Sequence, residues 1–314
     1  MTALDWYMQG DWHCPILVFE MTPRRSPSER IRMHIMTTGC PRGEQDIFVG
    51  KRIATLRGID LGAAAHLVAP ADSRVFANST FVVYPATSSD LQTLLDSQEA
   101  RRSKLPLATS IVALADILRG LLRLEDVGVV HRDLTATNIK LESGRAYVAG
   151  LGSTGMMCYG EEDSAAVSLE KRRKLIDAPE LSGSMFVPSS CHVWSAGLLF
   201  AQMLFGQTAT EQFLMRRRRL AAEEAPQPWN HEGALAWQPR PSVRMEDLGE
   251  IEGWSRAHPR ARDVLSHMLM DVSEARWTAK EALEHVLLAA SDLGVEVPEE
   301  AVLPTLAGWW WSAA

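Results

Sequence analysis

The sequence predicts an α+β fold that combines a strand-rich N-terminal part with a larger, mainly helical C-terminal part. Up to about residue 85 the apolar residues form short strand-like runs, whereas beyond residue 89 they recur with the 3.6-residue period of helices. We therefore expect two lobes: a small, mainly β lobe with one helix over residues 1–86, and a larger, mainly α lobe over residues 87–314.

Three apolar runs in the N-terminal part are typical of strands, at residues 15–21, 30–36 and 81–84. A segment with two prolines, residues 22–28, separates the first two runs and favours a hairpin loop. Residues 47–59 carry apolar side chains at helical spacing, which predicts one helix among the strands.

The C-terminal part shows three helical patterns. Apolar residues share one face over residues 107–122, and residues 193–205 are apolar all round until Gly206, which is typical of a helix buried within a domain. Thr278 and Glu281 have the spacing of a capping box, so we expect a last helix to begin there.

The composition argues against several classes of protein. Lys and Arg together number 32 and Asp and Glu 39, giving a net charge of −7, which disfavours a chain-wide basic surface for nucleic acid. No apolar run approaches the ~20 residues that a transmembrane helix needs. The four cysteines lie far apart without metal-ligand spacing, so a structural zinc site is not indicated.

Residues 131–138 read H-R-D-L-T-A-T-N. This run resembles the catalytic loop of protein kinases, H-R-D-L-x-x-x-N, in which the aspartate orients the substrate hydroxyl and the asparagine holds a magnesium ion. A-P-E at 178–180, V-W-S-A-G at 193–197 and Arg276 before a capped helix follow in the order and spacing of the same family. The resemblance covers almost the whole chain and implies a bilobal protein-kinase-like fold.

The sequence departs from this family where protein kinases bind Mg·ATP. Gly150 stands in G-L-G where kinases carry D-F-G, so the chelating carboxylate is missing and Asn138 alone offers one neutral oxygen. His34 stands where the V-A-I-K strand carries its phosphate-pairing lysine. An imidazole near its ordinary pKa of ~6.5 is mostly neutral at physiological pH, so a packed or hydrogen-bonded histidine is favoured over a ligand.

Further departures agree with these two. Residues 10–15 hold one glycine where the kinase loop has three, and residues 47–59 hold no acid that could pair with a lysine. Thr135 replaces a lysine that steadies the phosphoryl group, and His192 replaces the aspartate that opens the buried helix. Asp133 remains as the candidate general base.

These losses predict a chain that is not an enzyme: a pseudokinase with vestigial Asp133 and Asn138, which acts as a protein-binding scaffold and takes no cofactor, no metal and no Mg·ATP. The alternative is a residual or atypical Ser/Thr kinase that uses the same two residues with an unusual metal arrangement. Stabilisation by ATP that depends on a divalent metal ion would favour the alternative.

Within kinase-like proteins, the histidine in the third strand and the segments 56–59 and 81–94 resemble the rhoptry kinase family of apicomplexan parasites, especially its pseudokinase branch. Membership implies secretion from a rhoptry into the parasitophorous vacuole, its membrane, a cyst wall or the host cell, under oxidising folding conditions. The partners implied are parasite or host proteins, and peripheral membrane association stays open.

The resemblance also implies a structural ion pair. In kinases the Glu of A-P-E pairs with a buried Arg near the last helix, and the matching residues here are Glu180 and Arg276. Losing one partner would leave a buried charge at a cost of ~3–5 kcal/mol, so the pair can persist for the fold alone.

The cysteines allow three pairings, and four thiols are an equal alternative. The kinase-like fold implies that Cys14, in the degenerate glycine loop, lies close to Cys40, just past the third strand. It also implies that Cys158, in the activation segment, lies above Cys191 at the start of the buried helix. We therefore expect one disulfide within each lobe.

Overall fold

A computed structural model describes residues 2–9, 16–22, 30–40, 44–45, 47–52, 66–153, 155–156, 178–179, 189–224, 243–299 and 303. The chain divides into two compact units. Unit 1 comprises Met1–Gln92, Arg119–Met157 and Pro298–Ala314, and unit 2 comprises Thr93–Leu118 and Cys158–Val297.

Unit 1 is built on a five-stranded antiparallel sheet with the strand order β1-β2-β3-β5-β4. Its strands are β1 (Thr2–Gln9), β2 (Ile16–Thr22), β3 (Ile31–Thr37), β4 (Asp72–Phe76) and β5 (Ser79–Pro85). The strands predicted from the three apolar runs are therefore confirmed as β2, β3 and β5.

Alternation along these strands gives the sheet two faces. One face contributes Val18, Met36 and Val82 to a buried cluster that also contains Tyr147 and Ala149. The opposite face contributes a smaller cluster of Met21, Ile31 and Val83. Because side chains alternate along a strand, the even-numbered residues of β3 share the face that carries the larger cluster.

Three short strands form a second sheet in unit 1. They are β6 (Ser89–Asp90), β8 (Ile139–Glu142) and β9 (Arg145–Val148), which form one antiparallel sheet. A separate pair joins β7 (Val129–Val130) to β10 (Gly155–Met156). The loop between β7 and β8 contains residues 131–138.

The helices are α1 (Leu91–Ala100), α2 (Leu107–Glu125), α3 (Ser190–Phe205), α4 (Gln207–Glu224), α5 (Pro259–Met268) and α6 (Ala279–Asp292). The buried helix ends as predicted, at Gly206 with a φ of +97°. The capping box is present too, because Thr278 Oγ1 accepts from Glu281 N and Glu281 Oε2 accepts from Thr278 N. Residues 47–52 are helical, and the remainder of the predicted helix 47–59 lies outside the described residues.

The strand-rich N-terminal part and the helical C-terminal part confirm the predicted α+β fold. The two units, however, divide the chain differently from the predicted lobes. Residues 119–157 group with the N-terminal sheet because β6 pairs with β8, and because Tyr147 and Ala149 pack in the cluster of the sheet. In the described part of the chain, no helix is both long and apolar enough to cross a membrane.

The cysteines agree with the prediction only in part. Cys40 is buried and disulfide-bonded, while its predicted partner Cys14 lies outside the described residues. Cys191 is a buried thiol in the first turn of α3, so the predicted bridge to Cys158 is wrong. The thiol is 1% exposed and enclosed in the helical core.

Candidate active site

The loop at residues 131–138 is anchored to the end of β9. The imidazole Nε2 of the buried His131 lies 2.7 Å from the carbonyl oxygen of Ala149. The Ala149 N–H in turn donates to the carbonyl of Asn138 over 2.8 Å. Arg132 adopts a φ of +42°, which turns the chain sharply between these anchors. The loop is therefore fixed at both ends against one strand.

Asp133 and Asn138 face each other across this loop. The Asn138 Nδ2 group donates to the Asp133 carbonyl over 2.8 Å and lies 3.4 Å from the Asp133 carboxylate oxygen Oδ2. The backbone N–H of Asp133 also donates to the carbonyl of His131. The structure thus brings the two predicted residues together, with a half-buried carboxylate that can accept a hydrogen bond from a hydroxyl.

Gly150 lies directly against Asn138. It has a φ of +75°, and a Cβ atom at this position would lie 2.5 Å from Asn138 Oδ1 and 2.6 Å from its Cγ. The space in which a carboxylate side chain would begin is therefore filled by the Asn138 amide.

The donors at this point do not fit a magnesium ion. Mg²⁺ requires several oxygen ligands in near-octahedral geometry, usually including one or two carboxylates. The ligands at this point are one carboxylate, that of Asp133, and one amide oxygen, that of Asn138. The described residues contain no group of three His, Cys, Asp or Glu that could hold a metal ion. Position 150, where the family carries a chelating carboxylate, is a glycine and offers no side-chain ligand.

His34 is packed on the inner face of the sheet. Its ring centroid lies 4.6 Å from that of Tyr84, in a tilted arrangement. Burial, followed by the positive charges of Arg32 and Lys140, lowers the pKa of His34 from 6.5 to about 3. The imidazole is therefore neutral at physiological pH and supplies no cation, in keeping with a packed histidine rather than a phosphate ligand.

Four charged residues that the sequence analysis did not single out form two ion pairs in unit 1. Arg32 Nη2 lies 2.6 Å from Glu20 Oε1, and Lys140 Nζ lies 3.3 Å from Asp90 Oδ2. Lys140 Nζ also donates to the carbonyl of Thr137 over 2.8 Å. Burial is the main cause that lowers the pKa of Lys140, and the charge of Asp90 opposes it.

Strand alternation could have pointed to one of these residues, Arg32, from the sequence alone. Arg32 lies two residues before His34 on β3, and Lys140 lies two residues after Asn138 on β8. Arg32 therefore shares a strand face with His34, whereas Asn138 lies in the turn that precedes β8.

Two of the remaining degenerate positions, Thr135 and His192, are among the described residues. The Thr135 hydroxyl lies 2.9 Å from the Thr137 hydroxyl and so bonds within the loop. His192 is 1% exposed in the first turn of α3, in unit 2. Residues 10–15, the predicted glycine loop, lie outside the described residues.

Arg276 is buried in unit 2, as predicted. Its guanidinium donates to the carbonyls of Met270 and Ser190 over 2.7–2.9 Å and lies 5.1 Å from the ring centroid of Trp194. Glu180 lies outside the described residues, so the ion pair between them stays a prediction.

Comparison with known proteins relates this chain to one protein family. The model of the protein kinase domain matches residues 63–288. The chain is 24% identical over 217 residues to cyclin-dependent kinase B2-1 of Oryza sativa subsp. japonica. The matched region covers 65% of this chain and 64% of that protein. The chain is also 25% identical over 235 residues to mitogen-activated protein kinase 14 of Xenopus laevis, covering 70% and 60%. The chain thus spans roughly three fifths of the length of these relatives.

These matches confirm the predicted protein-kinase-like fold and correct one other prediction. The prediction that the chain is not an enzyme is wrong, because the matching family and the relatives are named as kinases. The finer placement in the rhoptry pseudokinase branch finds no support among the matches.

Proposed function

This chain belongs to the protein kinase domain family, and on that premise we propose that it is an atypical serine/threonine kinase that uses Asp133 and Asn138. The observation that carries the proposal is the hydrogen bonding of the catalytic loop. Asn138 holds the backbone of Asp133 over 2.8 Å and approaches its carboxylate at 3.4 Å. This geometry is retained although Gly150 and His34 have replaced the charged groups around it.

The chemistry assigned to these residues is phosphoryl transfer from ATP to a protein hydroxyl. The hydroxyl oxygen of a Ser or Thr attacks the γ-phosphorus while the bond from that phosphorus to the β,γ-bridging oxygen breaks, and ADP leaves. The hydroxyl proton passes to the Asp133 carboxylate, which also orients the attacking oxygen. Asn138 acts as a positioning residue because it fixes the backbone and the carboxylate of Asp133.

The departures from the family set the expected rate. Positioning and charge stabilisation supply most of the catalysis of phosphoryl transfer, and here the third strand offers a neutral histidine instead of a lysine. We therefore expect turnover well below the ~1–100 s⁻¹ of typical kinases.

The test is the initial rate of ³²P transfer from γ-labelled ATP to casein or myelin basic protein. We expect Asp133→Asn to reduce the rate about 100-fold or more, because the amide cannot take the proton. Asp126→Asn, which alters an exposed carboxylate in the same unit, should leave the rate within about twofold of the unmodified chain. Equal rates in Asp133→Asn and the unmodified chain would contradict the proposal.

The setting of the activity is also a proposal. We propose that the chain folds in an oxidising compartment, as a secreted protein would, and that its partners are the proteins it phosphorylates. The disulfide at Cys40 supports this, since structural disulfides persist mainly in secreted proteins and oxidising organelles. Mass mapping of alkylated peptides under non-reducing conditions tests it, and a Cys40 that alkylates in the native protein would contradict it.

A further inference from the structure

We propose that Lys140 is a positioning residue of the candidate active site, which holds the turn that carries Asn138 and so keeps Asn138 aligned with Asp133. The proposal rests on the kinase function proposed above and deepens it, because it adds a residue on which the geometry of the same site depends. Two contacts of the Lys140 ammonium group carry it, one to the carbonyl of Thr137 and one to the carboxylate of Asp90.

The turn that carries Asn138 is a short 3₁₀ helix over Ala136–Asn138. Four consecutive carbonyls at this turn each accept a hydrogen bond. Three of them accept from backbone N–H groups: those of Thr135, Ala136 and Asn138. The fourth, the Thr137 carbonyl, accepts from a side chain, because Lys140 Nζ donates to it over 2.8 Å. Lys140 thus completes the hydrogen bonding of the turn.

The bond from Lys140 acts directly on Asn138. The Thr137 carbonyl and the Asn138 N–H belong to one planar peptide group, so they rotate only together. This N–H donates to the Thr135 carbonyl over 2.9 Å, and the Asn138 side-chain amide donates to the Asp133 carbonyl over 2.8 Å. Fixing the Thr137 carbonyl therefore fixes the backbone from which the Asn138 side chain reaches Asp133.

Asp90 keeps the ammonium group in place. Asp90 on β6 and Lys140 on β8 are directly opposite each other in an antiparallel pair, so their side chains are neighbours. Lys140 Nζ lies 3.3 Å from Asp90 Oδ2, and the two side chains are 19% and 26% exposed. A largely buried ammonium group requires a carboxylate partner, because an uncompensated charge there would be costly. Asp90 therefore balances the charge that Lys140 brings to Thr137.

The two contacts of Lys140 can be separated by substitution. Asp90→Asn removes the charge of the partner but leaves the lysine and its bond to Thr137 in place. Lys140→Met removes both contacts and retains a long, unbranched side chain. The double variant Asp90→Asn with Lys140→Met removes both charges, so it leaves no buried charge uncompensated. A purely stabilising ion pair predicts equal effects of the two single substitutions, whereas a positioning role predicts that catalysis responds to Lys140→Met alone.

The first measurement is steady-state ³²P transfer from γ-labelled ATP to casein, with thermal unfolding measured in parallel. We expect Lys140→Met to lower kcat at least about tenfold and to leave the KM for ATP within about threefold, because alignment of the reacting groups acts on turnover. Asp90→Asn should keep kcat within about threefold of the unmodified chain. In the double variant kcat should stay low while the thermal stability is restored, so the test does not depend on the folding of Lys140→Met.

The second measurement, hydrogen exchange of the loop amides, does not depend on activity. We expect the amides of Asn138 and Ala149 to exchange at least about tenfold faster in Lys140→Met, and at the unmodified rate in Asp90→Asn. Unchanged exchange or unchanged kcat in Lys140→Met would overturn the proposal, as would an equal loss of kcat in Asp90→Asn. Faster exchange in Lys140→Met, when the unmodified chain transfers no phosphate, would overturn only the kinase function.

Discussion

Two glycines of unit 1 share a backbone conformation but differ in what surrounds them. Gly144 and Gly150 both have a φ of +75°, a conformation that costs residues with a side chain about 1–2 kcal/mol. Nothing lies within 4 Å of the Cβ position at Gly144, whereas Asn138 crowds that of Gly150. Position 150 therefore requires glycine for two reasons: its positive φ and the close contact with Asn138 in the catalytic loop.

This difference gives a paired prediction. Gly144→Ala should lower the free energy of unfolding by about 1 kcal/mol, the backbone cost alone. Gly150→Ala should cost a further ~1–3 kcal/mol and reduce phosphoryl transfer, because the methyl group displaces Asn138 from Asp133. Urea unfolding of both variants measures the two free energies of unfolding. Equal losses in the two variants would contradict the prediction, because they would show that Asn138 moves aside at no cost in free energy.

His34 predicts a dependence of stability on pH. Its pKa is about 3 in the folded chain and ~6.5 when unfolded, so the unfolded state binds one more proton between those values. The contribution of His34 is therefore fully present above pH ~6.5, and it falls by up to about 1.4 kcal/mol per pH unit as the pH is lowered towards 3.

The variant His34→Gln tests this sign, because glutamine is neutral throughout. We expect the unfolding free energy of the variant to rise relative to that of the unmodified chain as the pH falls from 7 to 4.5. Urea titrations at several pH values give the difference. A difference that stays constant with pH would mean that His34 protonates equally in the folded and unfolded states.

At the scale of elements, sequence patterns correctly predicted the features that depend on one segment of the chain. The capping box of α6, the glycine end of α3 and the strands β2, β3 and β5 follow from spacing and alternation within one segment. The ion pairs of Arg32 with Glu20 and of Lys140 with Asp90 were not predicted, because the first joins β2 to β3 and the second joins β6 to β8. Both pairs depend on strand register, and Lys140 and Asp90 are also 50 residues apart in sequence.

The segment before α6 carries a prediction of its own. Arg276→Met should lower the free energy of unfolding by about 3 kcal/mol, because the carbonyls of Met270 and Ser190 lose their buried donor and Trp194 loses the guanidinium above it. Arg260→Met is the control: its contact with Asp292 is half exposed and should contribute at most about 1 kcal/mol. Thermal unfolding compares them, and equal losses would contradict a structural role for Arg276.

At the scale of the whole molecule, the motifs along the chain predicted the fold better than the activity. The order of the catalytic loop, A-P-E and the buried helix led to the kinase-like fold that the family match confirms. The individual losses at Gly150 and His34 led to the prediction of a non-enzyme, which the comparisons contradict. Single substitutions are visible in the sequence, whereas the ion pair between Lys140 and Asp90 forms only in the folded chain.

The most direct test of the proposed kinase is the intact mass of an acceptor protein after incubation with ATP. The unmodified chain and Asp133→Asn would be purified in parallel, so that a contaminating kinase would act equally in both samples. We expect the acceptor to gain the mass of a phosphoryl group on Ser or Thr with the unmodified chain, and about 100-fold less with Asp133→Asn. An acceptor that gains no mass with either protein, or gains the same amount with both, would contradict the assignment of Asp133 as the catalytic base.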